Sequence, residues 1–252
     1  YQCAEEKNAD LVIGKYNVLT PYKLSPVRTL DNLVCLDNID KYNTDILQTF
    51  ALWNKLFRLD LIKQYHLNFK SVSYSEDGIF VMDYVLHCTN ITGLDQALIQ
   101  YRRFNESIGG SITASVSESK IRDYLTAHEM ILTCAKESFL RDFPEYTTIE
   151  EAIADNEDIN DYLNTIIHKE LLILLNRFYA KFWTLDSSTA QFLLTQINSK
   201  LELLNMKELY ELRTALPELP LTNLSANPEE VLKHARLTAV LYGNEDTQED
   251  FL

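Results

Sequence analysis

Apolar residues recur at helical spacing through most of the second half of the chain. Ile121, Leu125, His128, Leu132, Ala135 and Phe139 trace one face, bounded by a Ser115–Glu118 capping box and stopped by Pro144, and they predict a long helix from Ser117 onward. Thr148 and Glu151 repeat the capping-box spacing. After the acidic break at Asp155 to Asp158, Ile159, Leu163, Ile166, Leu171, Leu174, Phe178 and Phe182 predict a second long helix. That helix is apolar on more than one face around Leu171 to Leu175, the pattern of a central element covered by others. Ser188 and Gln191 open a third, through Phe192, Leu193, Ile197, Leu201 and Leu204, ended by Pro217 and Pro220. Asn227 as cap, Pro228 at the first position, Glu230 at the third and Gly243 past the end bound a fourth.

The first half is less regular. Pro21 and Pro26 interrupt it, Ala4 to Ile13 reads as a weak helix, and Thr44 caps a stripe of Ile46, Phe50, Trp53 and Phe57 that predicts a helix to about Tyr65. Phe69 to Tyr74 and Ile79 to His87 are rich in aromatic and β-branched residues and flank Ser75, Glu76, Asp77 and Gly78, which predicts a β-hairpin near 69–88 turning at Asp77 and Gly78. Asp83 then falls on the polar face of a strand. Leu94 to Asn105 reads as a helix opened by Thr92 and Asp95, and Ser111 to Val116, after Gly109 and Gly110, as a third strand.

Together these elements give a mainly α fold: a helical bundle with a small β-hairpin or three-stranded element in the N-terminal half, α+β in class. The expected division is a mixed α/β region over 1–116, a helical bundle over 117–243 and a disordered acidic tail over 244–252. No fixed-period repeat suggests a solenoid.

Composition sharpens this. Only 6 Gly and 6 Pro in 252 residues leave few helix breakers. The net charge of −14 is uneven, with 8 basic against 19 acidic residues from Glu145 to Leu252. Without a basic stripe, nucleic acid is not expected as a ligand; the acidity first of all keeps a protein in solution, and a basic protein partner is the sharper reading of it. Cys3, Cys35, Cys88 and Cys134 form no C-x-x-C pair and sit in or beside apolar runs, which fits a reducing, cytoplasmic setting. The first residue is Tyr1 rather than Met, so a removed targeting segment and a secreted effector stay open. The sequons at Asn90, Asn105 and Asn223 are of a kind that arises by chance, and the longest apolar stretch, near Leu171 to Leu175, is too interrupted to span a membrane.

The six glycines match neither the dinucleotide nor the P-loop spacing, and Gly109–Gly110 reads as a link rather than an anion nest. His128–Glu129 begins a helical zinc motif, but Leu132 stands where the second histidine belongs. Glu230 and His234, four apart, read as a surface pair rather than a metal site. His87, Cys88, His128, Cys134 and His168 are the residues from which a thiol- or histidine-based hydrolase or transferase would have to be assembled. No catalytic, cofactor-binding or metal-binding residue is thereby fixed, and no cofactor is implied. The first functional expectation is a non-catalytic protein–protein interaction module, an adaptor or subunit of a larger assembly. Its short acidic tail ending in Phe251 and Leu252 resembles signals read by bacterial secretion systems. An enzyme built from scattered residues is the alternative, and a homo-oligomeric structural protein a further one.

Overall fold

The computed structural model describes residues 1–20, 22–102, 116–179, 184–201 and 203. The chain divides into two compact units, one of Tyr1–Ala114 with Thr126–Leu163, the other of Ser115–Leu125 with Asn164–Leu252.

The first unit is organised by one strand. After the short helix α1 (Gln2–Glu6), the run Leu-Val-Ile opens β1 (Leu11–Leu19), whose first four residues are all buried. A strand covered on both faces reads as a continuous apolar run rather than as an alternation, which is why Ala4 to Ile13 does not form the expected helix. Strand β1 pairs antiparallel with β2 (Leu24–Pro26) at its far end and with β3 (Lys55–Phe57) at its near end. Along its other edge it pairs in parallel with β4 (Ile91–Arg102), Leu11 against Ile91 through Leu19 against Arg102, with irregularities on either side of Lys15. The result is a mixed four-stranded sheet.

This sheet corrects the bundle expected from sequence. Strand β4 replaces the helix expected over Leu94 to Asn105 as far as Arg102, the last described residue of that stretch. The Thr44 to Tyr65 stretch is a 3-10 turn at Thr44–Gln48, then a loop, β3, and helix α3 (Leu59–Gln64). The hairpin expected near 69–88 is instead a single helix, α4 (Glu76–Val85), and Asp83 lies on it. Seven of its ten residues are buried, from Gly78 to Val85 with only Asp83 excepted. A helix buried nearly all round carries no amphipathic period, and its aromatic and β-branched residues imitate a strand.

The core joins Leu11 and Ile13 of β1, Ile91 of β4, Leu33 and Val34 of helix α2 (Asp31–Val34), and Phe80, Val81, Tyr84 and Val85 of α4. A buried carboxylate ties its polar rim. Asp10 is 4% exposed and accepts from the Thr89 and Asn90 amides, the Thr89 hydroxyl and Arg58 Nη1, all at 2.9–3.0 Å. The Tyr84 hydroxyl donates to the Asp10 carbonyl at 2.7 Å. A buried charge held by this many donors keeps its stabilising hydrogen bonds without an unmet desolvation cost.

Helix α5 (Glu118–Asp142) matches the long helix read from sequence. Its start is capped by Ser117, whose Oγ accepts from the Lys120 amide at 3.3 Å. In its first-unit part, Tyr42 stacks on Phe139 at 4.1 Å and meets Tyr162 edge-on at 5.5 Å. Helix α6 (Ile149–Asp155) carries the full Thr148–Glu151 capping box. Thr148→Ala is therefore expected to lower the stability of this region by about 1 kcal/mol, to be read as a reduced urea midpoint at unchanged slope.

In the second unit, helix α7 (Glu157–Ile173) contributes its later turns and continues as a π-helical turn, Leu174–Phe178. Helix α8 (Ser187–Leu201) follows. Tyr124 packs on Phe178 at 5.4 Å and donates to the Glu170 carbonyl at 3.2 Å, while Lys200 pairs with the buried Glu170 carboxylate at 2.8 Å. The Ser115 cap, the Ser111–Val116 strand apart from Val116, Gly109–Gly110, the helix expected from Asn227 to Gly243, the tail over 244–252 and the Glu230–His234 pair lie outside the described residues.

Candidate functional site

The residues that could do chemistry gather where the loop before β3 meets the head of α4. Asn54, fully buried, donates from Nδ2 to the Gly14 carbonyl at 3.0 Å and accepts the Gly14 amide on its own carbonyl at 2.8 Å, so it fixes the loop to β1. Lys55 turns back on the same loop. Its Nζ donates to the Thr49 and Ala51 carbonyls at 3.0 and 2.7 Å and to Asn54 Oδ1 at 3.0 Å. An ammonium with this many oxygen partners holds a loop of Thr49, Phe50, Ala51, Leu52 and Trp53 in one conformation.

Phe50 lies against Gly78, where an added Cβ would meet its ring at 3.1 Å. Gly78 follows Asp77, the second residue of α4. The residue before the helix, Ser75, has φ 63° and ψ 22°. A non-glycine residue in the left-handed region stores local strain of about 1–3 kcal/mol, and such residues cluster at functional sites. Burial pushes the Asp77 carboxyl above the ordinary aspartate range, and the negative charge of Glu76 adds to this. The Gly78 amide, donating to Asp77 Oδ1 at 2.8 Å, and the charge of Lys55 oppose it. A half-buried carboxyl with its affinity for a proton raised is a stronger base than a free aspartate.

The same loop carries an aromatic group. Trp53 stacks on Tyr101 of β4 with ring centres 5.2 Å apart and planes 5° from parallel, and Tyr16 of β1 abuts the indole edge-on at 4.6 Å.

The residues singled out from sequence lie elsewhere. His87 closes α4, its Nδ1 2.7 Å from the Asp83 carbonyl and its ring over Tyr65. Cys88 is buried and donates to the Tyr84 carbonyl at 3.4 Å, and burial raises its thiol far above the usual range. Burial likewise pushes Cys134 up to about 11. Both thiols are therefore protonated near neutral pH, the wrong form for a nucleophile. His128 is buried in α5, and His168 belongs to the second unit. In the sequence Asp77 reads as a turn residue. The signal that could have found it is an acidic pair, Glu76–Asp77, at the head of an apolar run.

A pocket in the second unit, lined by Ser117, Glu118, Asp186 and Ser188 among others, is a weaker candidate. Asp186 accepts from the Ser188 and Thr189 amides, both at 3.0 Å, and Ser117 caps α5, so its polar groups already serve the two helix ends.

Among the described residues no helix is long and apolar enough to cross a membrane, and no cluster of three or more His, Cys, Asp or Glu side chains is arranged to hold a metal ion. No family model matches the chain. No curated protein matches it in sequence. Solved structures do. The crystal structure of S. aureus TarS residues 1–349 in complex with UDP aligns over 94% of this chain with a TM-score of 0.54 at 15% identity. The chain spans 60% of that structure's length. The same TarS fragment in complex with UDP-GlcNAc aligns over 68% of this chain and 54% of its own, with a TM-score of 0.36 at 16% identity.

The likeness to the UDP complex is one of fold, and it agrees with the mixed sheet rather than the bundle. It also corrects the functional expectation. The adaptor or complex subunit linked to secretion, the thiol- or histidine-based enzyme and the homo-oligomeric structural protein give way to a fold found in a protein crystallised with UDP.

Proposed function

We propose that this chain carries the acceptor-activating part of a nucleotide-sugar transferase, with the Asp77 carboxylate as its general base. The observation that carries the reading is the half-buried Asp77 carboxyl at the head of α4, two residues after the left-handed Ser75 and held by the Gly78 amide, where burial raises its affinity for a proton. It gains support from the fold shared with TarS in its UDP complex. In the reaction the Asp77 carboxylate takes the proton of an acceptor hydroxyl. The hydroxyl oxygen bonds to the anomeric carbon of the donor sugar, and the bond from that carbon to the phosphate oxygen breaks, its electron pair leaving with the nucleoside diphosphate. Four free cysteines support a reducing, cytoplasmic setting, and the acidic second half suits a basic partner.

The test is release of UDP from UDP-GlcNAc, with simple glycosides or water as acceptor, followed between about pH 4 and about pH 9. The base must be ionised to act, so the rate is expected to rise with pH along a limb displaced above the ordinary carboxylate range. No UDP release, or a rate that does not change through that window, would sink the proposal.

A further inference from the structure

We infer that Phe50 is a positioning residue for the proposed base: its ring, latched over Gly78 by the Lys55 ammonium, covers one side of the head of α4 and keeps water from the Asp77 carboxyl. The inference deepens the transferase reading and rests on it for the role of the base, though not for the cover itself. Ring and carboxyl meet at one residue. A Cβ built on Gly78 would lie 3.1 Å from Phe50 Cδ2 and 3.5 Å from its Cγ, so the ring sits against the glycine, while the Gly78 amide donates to Asp77 Oδ1 at 2.8 Å. Ile131 of α5, fully buried, closes on the same glycine, its Cδ1 3.4 Å from that Cβ position.

The latch is specific to this ring. Lys55 Nζ donates to the carbonyls of Thr49 and Ala51, the residues on either side of Phe50, at 3.0 and 2.7 Å, and the Lys55 amide donates to the Leu52 carbonyl at 3.1 Å. Asn54, fully buried, fastens the end of the loop to the Gly14 carbonyl at 3.0 Å. Hydrogen bonds from a charged donor are roughly twice as strong as neutral ones, so Lys55 is the member whose loss frees the loop. The loop itself, Thr49 to Trp53, carries no charged side chain. Burial is the largest influence on the Asp77 carboxyl and raises its affinity for a proton. Glu76, on its own helix, adds to this; the Gly78 amide opposes it, and so does the charge of Lys55 from β3, the smallest of these influences. A carboxylate denied water by an apolar neighbour is the stronger base, and Phe50 is the ring that lies against its hydrogen-bond partner.

The test is the titration of Asp77 itself, followed by NMR in the full chain with its aspartate carboxyls isotopically labelled, the Asp77 signal being the one lost in Asp77→Asn. Phe50→Ala is expected to bring the midpoint down towards the ordinary aspartate range, and Phe50→Leu, which keeps an apolar cover, to hold it. Lys55→Met gives the sharper sign. Loss of the positive charge alone would raise the midpoint, whereas release of the latch lowers it. Because burial outweighs the Lys55 charge, a fall is expected. That variant leaves Phe50 in place and keeps the test open where the alanine protein does not fold. The cover is refuted if natively folded Phe50→Ala titrates where the parent does, or if Lys55→Met raises the midpoint. UDP release from the same proteins separates the two ideas, since the titration reads the cover whether or not sugar is transferred. A midpoint that falls in Phe50→Ala, in a chain that never releases UDP, would uphold the cover and remove the transferase reading.

Discussion

Asp77→Asn is expected to lower the rate of UDP release by about 10²- to 10⁴-fold, the usual contribution of a positioned general base, without loss of stability at neutral pH. The exchange is nearly isosteric and keeps an oxygen at Oδ1 for the Gly78 amide. It removes a group that the fold prefers protonated, since burial raises the Asp77 carboxyl above its ordinary range. A carboxyl whose folded-state pKa is raised contributes its full stability below the unfolded pKa, and that contribution is lost as pH rises through the folded value. At neutral pH the wild-type carboxylate is thus a net cost, and the asparagine protein is expected to melt at the same temperature or higher. Below the ordinary aspartate pKa the difference disappears. Turnover and melting temperature, measured on the same preparations at neutral and acidic pH, check both halves. A variant that loses activity together with stability would mark Asp77 as structural, and full activity would remove it as the base.

The largest effect on folding is expected from Gly93→Ala. Gly93 lies in β4 against α2, and a Cβ there would fall 2.4 Å from the Val34 carbonyl carbon and oxygen and 2.5 Å from its Cα. These are backbone atoms, so no rotamer change relieves the clash; either the helix or the strand must move. The Gly93 amide also donates to the Leu36 carbonyl at 2.8 Å, which ties β4 to the residues just after α2. A loss of about 3 kcal/mol is expected, or roughly 6–12 °C in the melting of the first unit. Gly78→Ala supplies the contrast. Its Cβ would meet side chains alone, the Phe50 ring at 3.1 Å and Ile131 Cδ1 at 3.4 Å, and alanine gains about 1 kcal/mol over glycine inside a helix. Thermal melts of the two variants should differ widely. Equal melting would mean that α2 and β4 are not packed as closely as described.

What the sequence discloses follows how each element is buried. Helices α5 and α6 were legible because one face of each is wet, so that Ile121 through Phe139 keep their period and Thr148 and Glu151 show their capping chemistry. Helix α4 and strand β1 were not legible, for a common reason. Both lie inside the core, β1 as a continuous apolar run and α4 with only Asp83 spared among its buried residues. Without an exposed face there is no alternation to read, and the aromatic and β-branched residues at Phe80, Val81, Tyr84 and Val85 pointed to a strand. The misreading of α4 hid the candidate site with it, because Asp77 and Gly78 read naturally as a turn between strands. The histidines and cysteines drew notice by residue type alone. Only their surroundings, such as the apolar burial that keeps Cys88 protonated, could show that they are quiet.

The pairing of β1 with β4 also bears on how the molecule assembles. Leu11 and Ile91 are partners although 80 residues separate them, and closing a loop of that length costs roughly 4 kcal/mol in chain entropy before the first ladder bond forms. Contacts of such long range slow folding. On the ribosome β1 emerges long before its partner, and its apolar edge must wait, unpaired, until Thr89 and Asn90 arrive to engage Asp10 and seat β4 alongside it. The first unit is therefore a late folder, most exposed to aggregation during its own synthesis, and slowing translation ahead of residue 91 would lengthen that exposure.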